Sequence, residues 1–371
     1  MDVAVVGAGV TGCACALRLA EGGLRVRVHE ARQVASGASG RNGGFALRGA
    51  AFTYDVARSR LGRERAASLW RLTDRALDRL AALAGDAFRR TGSLRLAANA
   101  SEAEALEAEL AALEADGFDA ELENDLPPPL AGRFAAALVH PRDGAIRPAR
   151  WVRLLAARAA EAGAEIREHT RVSSLEELDG DRVVLATDGY THGLLAELDA
   201  AVRPTRGQVI ATHPLDESIY ARPHYTDDGF RYWHQSDDGR LVLGGFRDRA
   251  LDDEWTREEA TTPAIQAALE SFAEELIGTR PEITHRWAGI FGTTEDQLPL
   301  VGPVPGDDRV WVSCGYSGHG NVMGLACGEL VADAILGRPR PQLELFEPSR
   351  LLAKAPRPAA RPGLRTNAGS S

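Results

Sequence analysis

Apolar residues run unbroken from Val3 to Val6. Three glycines at positions 7, 9 and 12 follow, and then Cys13, Ala16, Leu17 and Ala20 recur at helical spacing. The run predicts a buried parallel strand and the later set one face of a helix. Val26 to His29 predicts a second strand, closed by Glu30. Leu69, Leu72, Leu77, Leu80 and Leu83 mark one face of a long amphipathic helix over about 61–83. Another helix is expected from Ser101, where Ser101 and Glu104 match a capping box, through Leu106, Leu110 and Leu113. A third begins at Pro148, carries Trp151, Leu154 and Leu155 inward, and stops at Gly163. Short strands are expected at 164–167 and 182–186.

The middle of the chain patterns differently. Strands are expected at 208–212, 231–235 and 240–245, the last two joined by the turn Asp237-Asp238-Gly239, so this part reads as antiparallel. A helix over 263–277, ended by Gly278, precedes a strand at 283–290. Near the C-terminus a strand at 310–313 leads through a glycine-rich loop into a helix over 321–336. Beyond Glu347 the chain is rich in Pro, Arg, Ala and Ser, and residues 346–371 are expected to be a disordered tail.

With 371 residues, 44% of them hydrophobic, the chain can build one large or two modest domains. A formal net charge of −10 argues against nucleic acid or an anionic membrane surface as the main partner. All but one of the 43 basic residues are arginine, and Lys354 is the sole lysine. No run of about 18 apolar residues occurs and no leader-like segment precedes the first strand, so a cytoplasmic protein without a membrane span is expected. Cys13, Cys15, Cys314 and Cys327 form no C-x-x-C pair and read as reduced structural thiols, with no metal site.

The G-x-G-x-x-G spacing of Gly7, Gly9 and Gly12 carries chemistry because a strand precedes it, a helix follows it, and an acid closes the next strand. The glycines permit a tight turn and close approach of backbone N–H groups to a pyrophosphate, and the helix N-terminus adds partial positive charge. Glu30 is placed to accept hydrogen bonds from an unphosphorylated ribose. FAD and NAD fit this end, whereas the 2′-phosphate of NADP would be repelled.

Further motifs join this one: Ala35-Ser36-Gly37-Ala38-Ser39-Gly40-Arg41-Asn42-Gly43-Gly44, Leu185-Ala186-Thr187-Asp188-Gly189, Arg206-Gly207-Gln208, Leu298-Pro299-Leu300-Val301-Gly302-Pro303 and Gly315-Tyr316-Ser317-Gly318-His319-Gly320. Together they make residues 2–340 resemble the FAD-dependent amine and amino-acid oxidases, the family of D-amino-acid, glycine and sarcosine oxidases. The Ser-Gly-Arg-Asn-Gly-Gly form is most similar to the γ-glutamylputrescine oxidase branch. The resemblance implies an α/β Rossmann-like FAD-binding domain (1–84, 141–203, 293–345) interleaved with an antiparallel-sheet, α+β substrate domain (85–140, 204–292). It implies cofactor contacts from Gly7, Gly9, Val10, Thr11, Gly12, Glu30 and Ala31; from Ser36, Ser39, Gly40, Arg41, Asn42, Gly43 and Gly44; from Val172, Ala186, Thr187, Asp188 and Gly189; and from Gly318, His319, Gly320 and Asn321. The last group opens a helix whose N-terminus would stabilise negative charge on reduced flavin.

Two departures from the family narrow the activity. The amino-acid-oxidising branches bind the substrate carboxylate through an arginine at the position that aligns here with Phe291. This favours an amine, or a secondary amine whose polar group is held elsewhere. Sarcosine oxidases place a lysine over the flavin and link the flavin through a cysteine. Here the lone lysine is in the tail and the aligned position is Gly289, so non-covalent FAD is expected, with O2 or another electron acceptor. The expected reaction removes a hydride equivalent from the carbon beside a neutral amine nitrogen to give an imine. No metal or catalytic triad is required. Candidates for the substrate cage are Arg48, Tyr232, His234, Arg286, Phe291, Tyr316 and His319. Trp233, which alternation turns to the opposite face from its neighbours, and Trp287 complete the aromatic set. The rival readings are an amino-acid oxidase or dehydrogenase of the glycine or D-amino-acid type, a flavin hydroxylase, an NAD-dependent dehydrogenase and a non-catalytic flavin-binding subunit. The oligomeric state is left open.

Overall fold

The computed structural model describes residues 1–352. Two large sheets organise the chain. The first has six strands in the order Leu300–Val304, Asp307–Cys314, Arg182–Leu185, Asp2–Val6, Arg25–His29 and Glu165–Arg167. Its neighbours are parallel except at the Leu300–Val304 edge. The central strand, buried from Val3 to Val6, is covered on both faces. Helices Val10–Glu21, Arg63–Ala84, Pro148–Glu161 and Gly320–Ile335 cover one face. The segment around Leu198 and Val202 covers the other.

The second sheet has eight strands in the order Ile283–Thr293, Arg203–Pro214, Arg240–Gly245, Arg231–Gln235, His224–Thr226, Ser93–Ala97, Ala136–His140 and Glu121–Glu123. Every pairing is antiparallel except that of His224–Thr226 with Ser93–Ala97. Helix Pro263–Ile277 packs Ile265 and Leu269 against Ile210, Trp233, Leu241 and Leu243 of this sheet, and the left-handed Gly278 ends it. Trp233 lies in this core, stacked on His224, as alternation predicts. The fold is thus α/β with a largely antiparallel second sheet, the class expected from the sequence. A third sheet of Phe45–Ala46, Gly144–Ile146 and Phe88–Arg89 stitches the two together.

The long helix expected over 61–83 is Arg63–Ala84, which buries all five of its leucines, and Gly62 separates it from a further helix, Tyr54–Leu61. Two local expectations change. The capping box belongs to Asn99 and Glu102 rather than Ser101 and Glu104. Asn99 accepts the Glu102 amide at 3.0 Å, and Glu102 accepts the Ala98 amide at 2.8 Å. Residues 346–352 are not a disordered tail: the Phe346 carbonyl accepts the Val301 amide at 2.9 Å, and Phe346 and Leu352 are buried. The rest of the expected tail lies outside the described residues. Among the described residues no helix is long and apolar enough to cross a membrane, and no cluster of His, Cys, Asp or Glu could hold a metal.

Candidate active site

A cavity of about 1080 Å³ runs between the two sheets. It slightly exceeds the roughly 300–1,000 Å³ typical of ligand pockets. At one end lies the first glycine turn. Gly7 adopts φ +103°, a region closed to most side chains. A Cβ on Gly12 would overlap the Gly7 carbonyl, so the helix can start this tightly only with glycine there. Glu30 holds the turn, accepting the Ala8 amide at 2.9 Å and the Arg32 amide at 2.8 Å. Ser39 accepts the Val10 amide at 3.1 Å, tying the second small-residue run to the helix N-terminus.

Three polar clasps then shape the cavity. Asp188 lies in the turn that follows strand Arg182–Leu185, and its carboxylate accepts the Gly292 and Gly315 amides, both at 2.8 Å. Burial raises the Asp188 carboxyl above the ordinary range, against those hydrogen bonds, which favour the ionised form. Asn42 and Asn321 pair their amides reciprocally at 3.2 and 3.0 Å, and Asn321 also donates to the Phe45 carbonyl at 2.7 Å. This pair joins the 36–44 run to the start of helix Gly320–Ile335. Glu259 gathers Arg32, Arg41 (2.8 Å) and the Tyr190 hydroxyl (2.6 Å) over the cavity mouth. Burial opposes ionisation of Glu259, but hydrogen bonds from Arg32 and Tyr190 outweigh it and hold its carboxyl below the usual range.

Beyond the clasps the cavity becomes aromatic. Phe45 and Tyr232 meet edge to face at 5.5 Å, and Phe291 and Arg247 complete this wall. His319, at the N-cap of helix Gly320–Ile335, has a buried Nδ1 without a hydrogen-bond partner. Burial, then the nearby Arg247 charge, lowers its pKa to about 4, so the imidazole is neutral at pH 7.

All the expected cofactor residues line this cavity except Gly12, Gly40, Gly44 and Gly189, whose absent side chains instead admit neighbouring backbone. Several that do line it use their side chains on the scaffold: Asp188 and Asn42 as above, and Arg41 on Glu259 and the Ala288 carbonyl. Of the expected cage, Arg48, Tyr232, Phe291, Tyr316 and His319 line the cavity. Arg48 is nevertheless committed elsewhere, 3.7 Å from Asp74 and donating to the Asp119 carbonyl at 2.8 Å. The Tyr316 hydroxyl is held in the core by Thr11 at 3.0 Å and Ser313 at 2.9 Å.

Two cage candidates fall away. His234 sits behind Gly44 against Phe45, and Arg286 lies on the outer side, donating to Gln266 and bridging Glu270 at 2.8 Å. Trp287 likewise faces outward and donates to the Arg41 carbonyl at 2.7 Å. The sequence reading missed Arg247, Glu259 and Tyr190. Only the Gly-Gly preceding Phe246-Arg247, a strand end of the kind that often abuts a ligand, signalled the first of them.

A glycine turn at one helix N-terminus, an acid on the second strand and another glycine-rich helix entry across one cavity define a dinucleotide-binding oxidoreductase fold. The family described as FAD dependent oxidoreductase (DAO) matches residues 2–334. The chain is 29% identical over 396 residues to gamma-glutamylputrescine oxidoreductase of Escherichia coli (strain K12), covering 97% of this chain and 88% of that protein. It is 30% identical to the probable oxidoreductase OrdL of Rhizobium meliloti (strain 1021), covering 91% and 83%. The glycine oxidase structure from Geobacillus kaustophilus superposes with a TM-score of 0.78 at 23% identity, covering 95% of this chain and 99% of that one. The chain belongs to the DAO family of FAD-dependent oxidoreductases.

The residues present fit that cofactor. The cavity is continuous from Gly7 to His319, a helix N-terminus opens onto it at each end, and the orphaned His319 Nδ1 sits at the second of these.

Proposed function

We propose that the protein oxidises the C–N bond of a primary or secondary amine, or of an N-substituted amino acid, to an imine that water then hydrolyses. In this reading segments 1–84, 141–203 and 293–345 form the FAD-binding domain, and 85–140 with 204–292 the substrate domain. The observation that carries it is the wall of Phe45, Tyr232 and Phe291 facing the same cavity as the glycine turn. The activity named for the Escherichia coli relative supports the amine assignment.

FAD, when bound, supplies the two-electron acceptor for the substrate's C–H bond. Gly7, Gly9 and the helix Val10–Glu21 would hold its pyrophosphate, Glu30 its ribose, and the helix entry at His319–Asn321 the flavin end. Phe45, Tyr232 and Phe291 exclude water from the reacting carbon and keep the amine desolvated, which favours its neutral, reactive form. Uncharged His319 adds no positive charge beside that nitrogen. All four cysteines are buried away from the cavity, which supports non-covalent FAD.

Anaerobic reduction of the flavin across a panel of primary and secondary amines, glycine, sarcosine and simple D-amino acids tests the reading. Bleaching by amines is expected with either O2 or another acceptor downstream. Bleaching by simple amino acids alone would overturn it, and a yellow protein that none of the panel bleaches would favour a flavin-binding subunit.

A further inference from the structure

Arg247 is charged, shielded and unclaimed. It follows strand Arg240–Gly245 through Phe246, which holds a left-handed φ of +63°. A bulky residue rarely adopts that conformation, and it turns the next side chain into the cavity. The guanidinium lies 4.4 Å from the Phe230 ring centroid and 5.6 Å from that of Phe291. Stacking of this kind uses the faces of the planar cation and leaves its in-plane N–H groups free.

Among the described residues Arg247 makes no hydrogen bond or ion pair. Its two nearest carboxylates are already spoken for: Asp248 takes Arg231 at 2.9 and 3.0 Å, and Glu254 takes Arg206 and Gln208 at 2.8 and 2.9 Å. Of the cavity's other arginines, Arg95 pairs with Glu109 at 2.6 Å and Arg32 and Arg41 with Glu259, while Arg48 lies 3.7 Å from Asp74 and donates to the Asp119 carbonyl at 2.8 Å, its Nε and Nη1 making no hydrogen bond. Arg60, Arg171 and Arg257 are solvent-exposed. Arg247 is half-buried, and a partly shielded cation without a counter-ion is a ready partner for a ligand that supplies one.

We propose that Arg247 is the receptor for a carboxylate on the substrate, so that the substrate is an amine bearing an acidic group. This rests on the amine-oxidation reading above. A carboxylate matches the fork of two parallel N–H donors, and it would neutralise Arg247 in the complex. The Tyr232 hydroxyl, which also faces the cavity without a partner among the described residues, is a second donor for it. Phe291, where the amino-acid-oxidising branches carry an arginine, is then the surface against which the relocated cation rests.

The test compares anaerobic flavin reduction by an ω-amino carboxylate and by the alkylamine of equal chain length, in wild type, Arg247→Met and Arg247→Lys, with benzoate titration of the flavin spectrum as a second readout. Wild type is expected to bind the carboxylated amine roughly 10- to 100-fold more tightly. Arg247→Met should abolish that preference and the benzoate response by weakening the carboxylated amine at least roughly tenfold more than the alkylamine, and Arg247→Lys should restore part of both. Equal effects of Arg247→Met on both amines, or an unchanged benzoate response, would overturn the assignment. So would the absence of a preference in wild type, which decides the matter if the methionine variant loses its flavin. If neither amine reduces wild type while benzoate still responds through Arg247, the amine reading fails and the carboxylate receptor stands.

Discussion

At the scale of the residue, the site depends on side chains that bridge distant segments. Asp188 binds amides 104 and 127 positions further along the chain, so one carboxylate fixes the end of a first-sheet strand, a second-sheet strand and the loop before helix Gly320–Ile335. Asp188→Ala leaves the Gly292 and Gly315 amides buried and unmatched. At about 1–3 kcal/mol for each orphaned group, the variant should lose about 2–6 kcal/mol of stability in denaturant unfolding. A loss under about 0.5 kcal/mol would show that these amides find other partners. The strand-end turn around Asp188 was legible in the sequence as a cofactor contact. Its use as a clasp was not, because nothing local announces partners more than a hundred residues away. Arg41 and Asn42 teach the same lesson: the motif marks where the loop runs, while tertiary pairing decides where the side chains point.

At the scale of the element, long periodic segments were legible and short ones were not. Strands Arg231–Gln235 and Arg240–Gly245 and helix Pro263–Ile277 lie where alternation, turn residues and the closing glycine put them. Phe45–Ala46 and Phe88–Arg89, two residues each, carry no periodicity and exist only because Gly144–Ile146 pairs with both. The contact between helices Val10–Glu21 and Gly320–Ile335 was equally hidden, because it depends on absent side chains. A Cβ on Gly324 would lie 2.8 Å from the Thr11 hydroxyl, and one on Gly328 would overlap the Thr11 carbonyl. In an exposed helix Gly→Ala gains about 1 kcal/mol. Here Gly328→Ala should instead cost about 1–3 kcal/mol by forcing the helices apart. Because both helices begin at the cavity, the variant should also retain less flavin after gel filtration. A stabilised variant with full flavin content would refute this close packing.

At the scale of the whole molecule, the two-sheet architecture followed from the change of pattern along the chain, parallel-style at both ends and antiparallel in the middle. The enclosure of charged and titratable groups between the sheets did not, because burial is a property of the assembled fold. It has a consequence for pH. Burial lowers His140, His234 and His319 to about 4 and His224 to about 3, from an ordinary 6.5. Each depressed histidine lets the unfolded chain bind a proton that the fold refuses, so its contribution to stability is complete above pH 6.5 and is lost as pH falls toward 4 or 3. Asp74, Glu109, Asp143 and Asp188, raised by burial, act in the opposite sense, since the fold binds their protons more readily than the unfolded chain does. The total slope is therefore a difference, and removing one histidine isolates its share. His224 is the residue to remove: it stacks on Trp233 in the core, away from the cavity, and phenylalanine preserves that stacking. Between pH 6.5 and 4 the unfolding free energy of His224→Phe should change with pH by up to one proton's worth less than that of the parent, about 1.4 kcal/mol per pH unit. The two curves should run parallel above pH 7. Curves that stay parallel throughout would mean that His224 takes up its proton in the folded state as readily as in the unfolded chain.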